Sequence, residues 1–320
     1  MDGVRPQSWY AERLGVWVNE DNWPNGPKMS TFSLAENSKL AEYHVTQDLN
    51  DIVCSPQDCG LDGGEYCAIW LGPEMPGDQR RDDSYSQCYD SEALTDRLDI
   101  IGAPVIRLKI KSNAKSGQVI VRLNHIHPDG ASTRITYGCL NLSHRNGHEK
   151  TSDIVPNELM DIEVILDQIA YRVPEGHKIR VSISNCYWPL LWPTPDKDTL
   201  TLVQGKFDLP ISTHGDFDER KFQPAVVGEP WKIKSLREGG NQRNVKRDLK
   251  SGIVTTEIID DFGKRMDQEH GLITGSTARE WWSIHPDDPL SAHGRTHWTE
   301  EIERACLLYT SDAADEKRWG

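Results

Sequence analysis

Alternation of apolar and polar residues with a period of two constrains this chain more than any other feature. In Pro104–Lys111 (PVIRLKIK), Ile106, Leu108 and Ile110 share one face while Arg107, Lys109 and Lys111 share the other. Gln118–Ile126 (QVIVRLNHI) sets Val119, Val121 and Leu123 against Arg122 and Asn124. His177–Ser184 (HKIRVSIS) sets Ile179, Val181 and Ile183 against Arg180, Ser182 and Ser184. Successive strand side chains point to opposite faces, so the pattern predicts antiparallel sheet with one face on a core and the other in water. Further strands are predicted over Arg134–Leu142, Met160–Leu166, Thr199–Val203, Gly252–Ile259 and Arg279–Ile284. HPDG (His127–Gly130) and PEGH (Pro174–His177) supply turns between them. No helical period of comparable length appears, so the expectation is an all-β, two-layered protein. Eleven Trp against five Phe, with 25 Gly and 18 Pro, suit short strands joined by large loops.

Regularity lapses between Asp51 and Gly102, a stretch rich in Gly, Pro, Asp and Cys. A loop of this length inside a domain is usually functional, an interface element or disordered. Tyr66, Ile69, Trp70 and Leu71 argue against disorder. Ser212–Ser251, of mixed charge, is expected to be an exposed connection. Cys306–Gly320 (CLLYTSDAADEKRWG) resembles translated sequencing-adapter read-through and is expected to be non-native, with few packing contacts.

Several function classes are disfavoured. Fifty acidic against 36 basic residues give a net charge of −14, which opposes nucleic-acid and anionic-membrane binding. No apolar run approaches the ~18 residues of a membrane span, and the N-terminus lacks a signal-peptide stretch, so a cytoplasmic location is expected. Seven cysteines in 320 residues predict reduced thiols rather than a disulfide scaffold. No G-x-S-x-G elbow, phosphate loop, dinucleotide fingerprint or HExxH occurs; the nearest serine context, Gly130-Ala131-Ser132-Thr133-Arg134, lacks the second glycine. The chain therefore carries no recognisable catalytic residues and predicts no cofactor.

Three weaker constellations remain. Cys54, Cys59, Cys67 and Cys88 are too raggedly spaced for structural zinc, so they read as ordinary thiols. His125 and His127 lie two apart and would share a strand face, which permits metal ligation or acid–base work. With Pro128-Asp129-Gly130 following, at least one should sit in an exposed turn, and both read as structural histidines; no metal is expected. The run Cys186–Pro193 (CYWPLLWP) cannot continue a central strand, because proline lacks the ladder donor. It would fold over its own core, form a domain interface, or offer Tyr187, Trp188 and Trp192 as sugar-stacking platforms.

The segments VRLNHIHPDGASTRITYGCLNLSHR and LDQIAYRVPEGHKIRVSISNCYWPLLWPTP closely resemble the C-terminal domain of the cocaine esterase/NonD and X-Pro dipeptidyl-peptidase hydrolases. The resemblance spans about Arg5 to Trp298. It implies a jelly-roll β-sandwich of the galactose-binding-like kind with a long loop insertion, and leaves room for incomplete C-terminal strands. It divides the chain into the start of the sandwich after a lost hydrolase domain (1–50), the loop insertion (51–102), the sandwich (103–305) and the tail (306–320). It also implies a missing α/β-hydrolase domain in cis that carries a Ser-Asp-His triad and acts on a small ester or peptide. This chain would dock on that domain and help wall its active site, with Trp70, Tyr187, Trp188 and Trp192 as the wall or interface residues and no catalytic residue of its own. The competing reading is a stand-alone carbohydrate-binding module using Trp188, Trp192 or Trp70, which requires an exposed, roughly coplanar aromatic pair.

Overall fold

The computed structural model describes residues 28–67, 74–212 and 222–304. The chain divides into two compact units, one formed by residues up to 222 with 247–255 and 283–293, the other by 223–246, 256–282 and those from 294 onward. Among the described residues the single α-helix is α1 (Arg80–Ser84); nearly everything else that is regular is strand.

The first unit is a twelve-stranded antiparallel assembly folded around one core. Its strands are β1 (Lys28–Ala35), β2 (Lys39–Ala41), β3 (Asp51–Val53), β4 (Gln87–Asp90), β5 (Leu98–Gly102), β6 (Val105–Ser112), β7 (Gln118–Ile126), β8 (Ser132–Asn141), β9 (Met160–Ile165), β10 (Ile169–Val173), β11 (Lys178–Ser184) and β12 (Leu200–Ile211). The long β12 pairs with β1 on one side and β6 on the other, and β6 pairs with β9. A second group runs β4-β11-β7-β8 and joins the first through β1–β2 and one parallel bridge between β2 and β4. Ile106, Leu108 and Ile110 of β6 meet Val119, Val121 and Leu123 of β7 and Ile179, Val181 and Ile183 of β11 in the same apolar cluster. The period-two reading thus gave the inward faces of all three strands correctly.

The outward faces divide. On β6, Arg107, Lys109 and Lys111 lie in water as the alternation requires. On β7 they do not: Arg122 and Asn124 are wholly buried, and every residue of the strand is covered. The expectation of a solvated second face fails here because α1 and its flanking residues Gln79 and Ser86 bond to it. Alternation reports which residues share a face, and a second layer can cover the polar face when it brings matching polar groups.

The remaining strands, β13 (Ile233–Arg237), β14 (Gly240–Arg247), β15 (Val254–Asp267), β16 (Leu272–His285) and β17 (Asp288–Arg304), form a sheet in the order β13-β15-β16-β17 with β14 also on β15; its residues 233–246, 256–282 and 294–304 belong to the second unit. Ser212–Ser251, expected as an exposed connection, therefore contains two strands. Neither contains a buried residue, so no apolar alternation marks them; backbone pairing to β15 makes them strands. Cys306–Gly320 lies outside the described residues.

Close approach of strand edges sets the tolerance of the first unit. A Cβ on Gly138 of β8 would sit 2.5 Å from the Ile165 carbonyl oxygen of β9, a backbone atom that cannot rotate away. Gly138→Ala should cost about 1–3 kcal/mol of overpacking, read as a lowered urea midpoint. An unchanged midpoint would contradict this approach of β8 to β9.

Candidate functional site

The residues that cover the second face of β7 and β11 form a loop layer held by a buried polar network. Asp83 of α1 sits at its centre. Its carboxylate accepts from Asn124 Nδ2 at 2.9 Å, Ser132 Oγ at 2.7 Å, Ser182 Oγ at 2.8 Å and Arg180 Nη1 at 3.1 Å. Arg122 lies 3.3 Å from it and donates to Gln79 Oε1 at 3.0 Å and Ser86 Oγ at 2.7 Å. The neighbouring Asp82 accepts from the backbone N–H of Gly60 at 3.0 Å and of Asp62 at 3.1 Å, which pins the 54–67 loop. A five-residue helix has no stability alone; these side-chain bonds hold α1 in place. Burial raises the Asp82 carboxyl above its ordinary value, against the pull of Arg122 and the two N–H groups.

The aromatic loop joins this layer. Trp188 N–H donates to the Cys59 carbonyl at 2.7 Å, and Arg134 Nη1 donates to both the Gly63 carbonyl (2.7 Å) and the Tyr187 hydroxyl (2.5 Å). Gly60 adopts φ +114°, and a Cβ there would fall 2.7 Å from the Trp188 backbone, so glycine is needed twice over. Asn185 ties three segments: its Oδ1 accepts from Ser55 N–H at 2.8 Å, and its Nδ2 donates to the Asp198 carbonyl at 2.9 Å and carboxylate at 3.1 Å. Burial pushes the Asp198 carboxyl up to about 7.

The four residues expected as wall or interface are thus placed unequally. Tyr187 and Trp188 are fully buried in the loop layer, where they hold the 54–67 segment on the sheet. Trp192 stands 56% exposed, its ring 5.5 Å from that of Trp188 and tilted by 62°. Those two rings are neither both exposed nor coplanar, as a sugar platform requires. Trp70, with Ile69 and Leu71, lies outside the described residues, and Tyr66 is 89% exposed. Beside α1 opens a polar cleft of about 770 Å³, walled by Lys39, Arg80, Asp83, Asp90, Lys178 and Arg180. Ser132, the nearest approach to a nucleophile motif, is buried and donates to Asp83.

The cysteines do not assemble. Cys54 and Cys67 are exposed, whereas burial pushes the Cys59 thiol to about 12 and the Cys88 thiol to about 11, so both stay protonated. Three histidines do assemble: His125, His127 and His177 each bring one ring nitrogen to within 4.8 Å of the other two. The sequence pointed to the first two only. His177 comes from the PEGH turn, 50 residues on, and no linear spacing relates it to them.

Two outcomes test the network. Arg122→Met removes the one fully buried cation of the network, leaving Asp83 to the partly exposed Arg180 and Asp82 to the partly exposed Arg81, and should cost about 3–5 kcal/mol in denaturant unfolding; a loss under about 1 kcal/mol, the range of an exposed pair, would contradict the pairing. Asp198 ionises less readily folded (about 7) than at its ordinary 3.8. Its contribution to stability is therefore full below pH ~4 and is lost as pH rises through ~7. Asp198→Asn should flatten that fall in urea midpoint between pH 4 and 8, and an unaltered slope would contradict the assignment.

Comparison with known proteins agrees with this architecture. Residues 2–240 match the family described as the X-Pro dipeptidyl-peptidase C-terminal non-catalytic domain. The cocaine esterase of Rhodococcus sp. (strain MB1 Bresler) is 23% identical over 202 residues, which cover 58% of this chain and 35% of the esterase. The chain thus spans about a third of that relative's length. Among solved structures, an aminopeptidase from a marine sediment archaeon, Thaumarchaeota archaeon, superposes with a TM-score of 0.52 at 17% identity, covering 60% of this chain and 38% of that one. An α-amino acid ester hydrolase gives 0.51 at 16% identity, covering 57% and 36%. With three quarters of its length matched, from the N-terminal edge to the start of β14, the chain belongs to the X-Pro dipeptidyl-peptidase C-terminal non-catalytic domain family.

Proposed function

We propose that this chain is the accessory domain of a serine hydrolase acting on acyl esters or X-Pro amides, packing on an α/β-hydrolase domain of the same polypeptide and helping to enclose its substrate. The observation that carries the proposal is the loop layer. Two segments that break the strand pattern, 54–67 and 185–193, are locked to the sheet by buried hydrogen bonds and leave Trp192 projecting from their rim. A wall that shapes another domain's active site needs such rigidity, because positioning errors of about 1 Å cost substrate orientation. The polar, mixed-charge cleft beside α1 also suits an inter-domain surface, which is more polar than a permanent interface. The relatives named above cleave ester or peptide-type bonds by their names, and this chain corresponds to about a third of each.

In the complete enzyme the attacking serine, its histidine and the oxyanion donors belong to the catalytic domain. This chain supplies shape and the exclusion of water. Ser132 cannot serve as nucleophile while its hydroxyl is buried against Asp83.

Purified alone, the chain should leave p-nitrophenyl esters and X-Pro p-nitroanilides unhydrolysed. In the full-length polypeptide, Trp192→Ala should raise KM several-fold with a smaller change in kcat. Turnover by the isolated chain, abolished by Ser132→Ala, would overturn the proposal, as would a full-length Trp192→Ala enzyme with unchanged KM and kcat.

A further inference from the structure

We propose that His125, His127 and His177 form a divalent transition-metal site of the imidazole-only, zinc-binding kind. The site follows from strand pairing. His125 and the next residue but one, His127, leave the same face at the end of β7, and their rings stack with centroids 4.1 Å apart. β11 runs antiparallel to β7 in the register Lys178↔Ile126 and Ile179↔His125. One residue before β11, His177 therefore arrives opposite His127 and diagonal to His125, where cross-strand side chains meet. All three lie on the core-facing parity of Val121, Leu123, Ile179 and Val181, on the face opposite the loop layer.

The ring edges are already sorted into those that face inward and those that are held from behind. His125 Nε2 lies 2.6 Å from His177 Nδ1, while His125 Nδ1 is 3.0 Å from the Tyr171 hydroxyl on β10. His127 Nε2 is 3.0 Å from the Thr133 hydroxyl on β8, so Nδ1 is the His127 atom that the site uses. For His125 and His127 this is the arrangement of metal-ligating histidines, whose second nitrogen is fixed by an outer partner that sets tautomer and ring direction. A tetrahedral zinc with Zn–N near 2.0–2.1 Å requires ligand nitrogens about 3.3 Å apart. The present separations, from 2.6 Å up to 4.8 Å, bracket that distance, so small ring rotations complete the site.

Burial gives the site an inside and a mouth. His125 and His177 are buried, whereas His127 is partly exposed and marks the entry from solvent. Three protein nitrogens leave a fourth tetrahedral position for water. Neutral imidazoles favour zinc, copper, nickel and cobalt over magnesium or calcium, which take oxygen ligands. Among the described residues no other group of three or more His, Cys, Asp or Glu side chains converges in this way.

The test uses the full chain, stripped with chelator and titrated with ZnSO4 and separately with CoCl2. One Zn2+ per chain should bind and raise the thermal midpoint. The Co2+ form should show visible d–d absorption of tetrahedral strength without a thiolate charge-transfer band in the near ultraviolet. His127→Gln, at the partly exposed position that folding depends on least, should remove the stoichiometric binding and the cobalt spectrum. Tyr171→Phe should weaken binding about 10–100-fold, the usual effect of losing an outer partner. Changing the stacked pair His144 and His148, outside this cluster, to Gln should leave binding intact. Failure to bind zinc, binding unchanged in His127→Gln, or a thiolate–cobalt band that places the ion on cysteine would each overturn the proposal.

Discussion

The buried meeting of Arg122 with Asp83 is the interaction on which the rest of the molecule depends. β7 is the strand whose two faces are both covered, and its polar face can be covered only because α1 returns a carboxylate to Arg122, Asn124 and the serines of β8 and β11. An unpaired charge in that position would cost several kcal/mol. Once paired, it fixes α1; α1 then fixes Gly60 and Asp62 through Asp82, and Cys59 fixes Trp188. A sandwich with one solvated sheet face thereby becomes a sandwich carrying a rigid third layer of loops.

That layer is where fold passes into function. The family is described as non-catalytic; in this chain the serine in the most suggestive context donates to Asp83, and burial raises the Cys59 and Cys88 thiols. Tyr187 and Trp188 serve the inside of the layer, and Trp192 serves its edge. The aromatic run that stood out in the sequence is thus divided between two buried rings and one exposed ring.

The sandwich itself was legible because half-buried strands write their inward face in every second residue, as β6 and β9 show most clearly. The burial of Arg122 and Asn124 was not legible, since a polar residue facing water and one facing a matching buried carboxylate read the same in one dimension. β13 and β14 escaped notice for the opposite reason: with no buried residue, they have no apolar period to show. The histidine cluster was half visible. His125 and His127 share a face by spacing alone, but His177 joins them only through the β7–β11 register, and register depends on pairing partners that a linear reading does not supply. The same limit applied to the aromatic loop, whose residue types marked it as unusual without telling which rings point inward.

Amide hydrogen exchange on the full chain tests the central claim most directly, because it reads whether the loop layer opens separately from the sheet. The account predicts that Gly60, Asp62 and Trp188, whose N–H groups are bonded to Asp82 or Cys59, exchange as slowly as the amides of β7. Exchange at these three sites at rates typical of exposed loops, with β7 still protected, would contradict it.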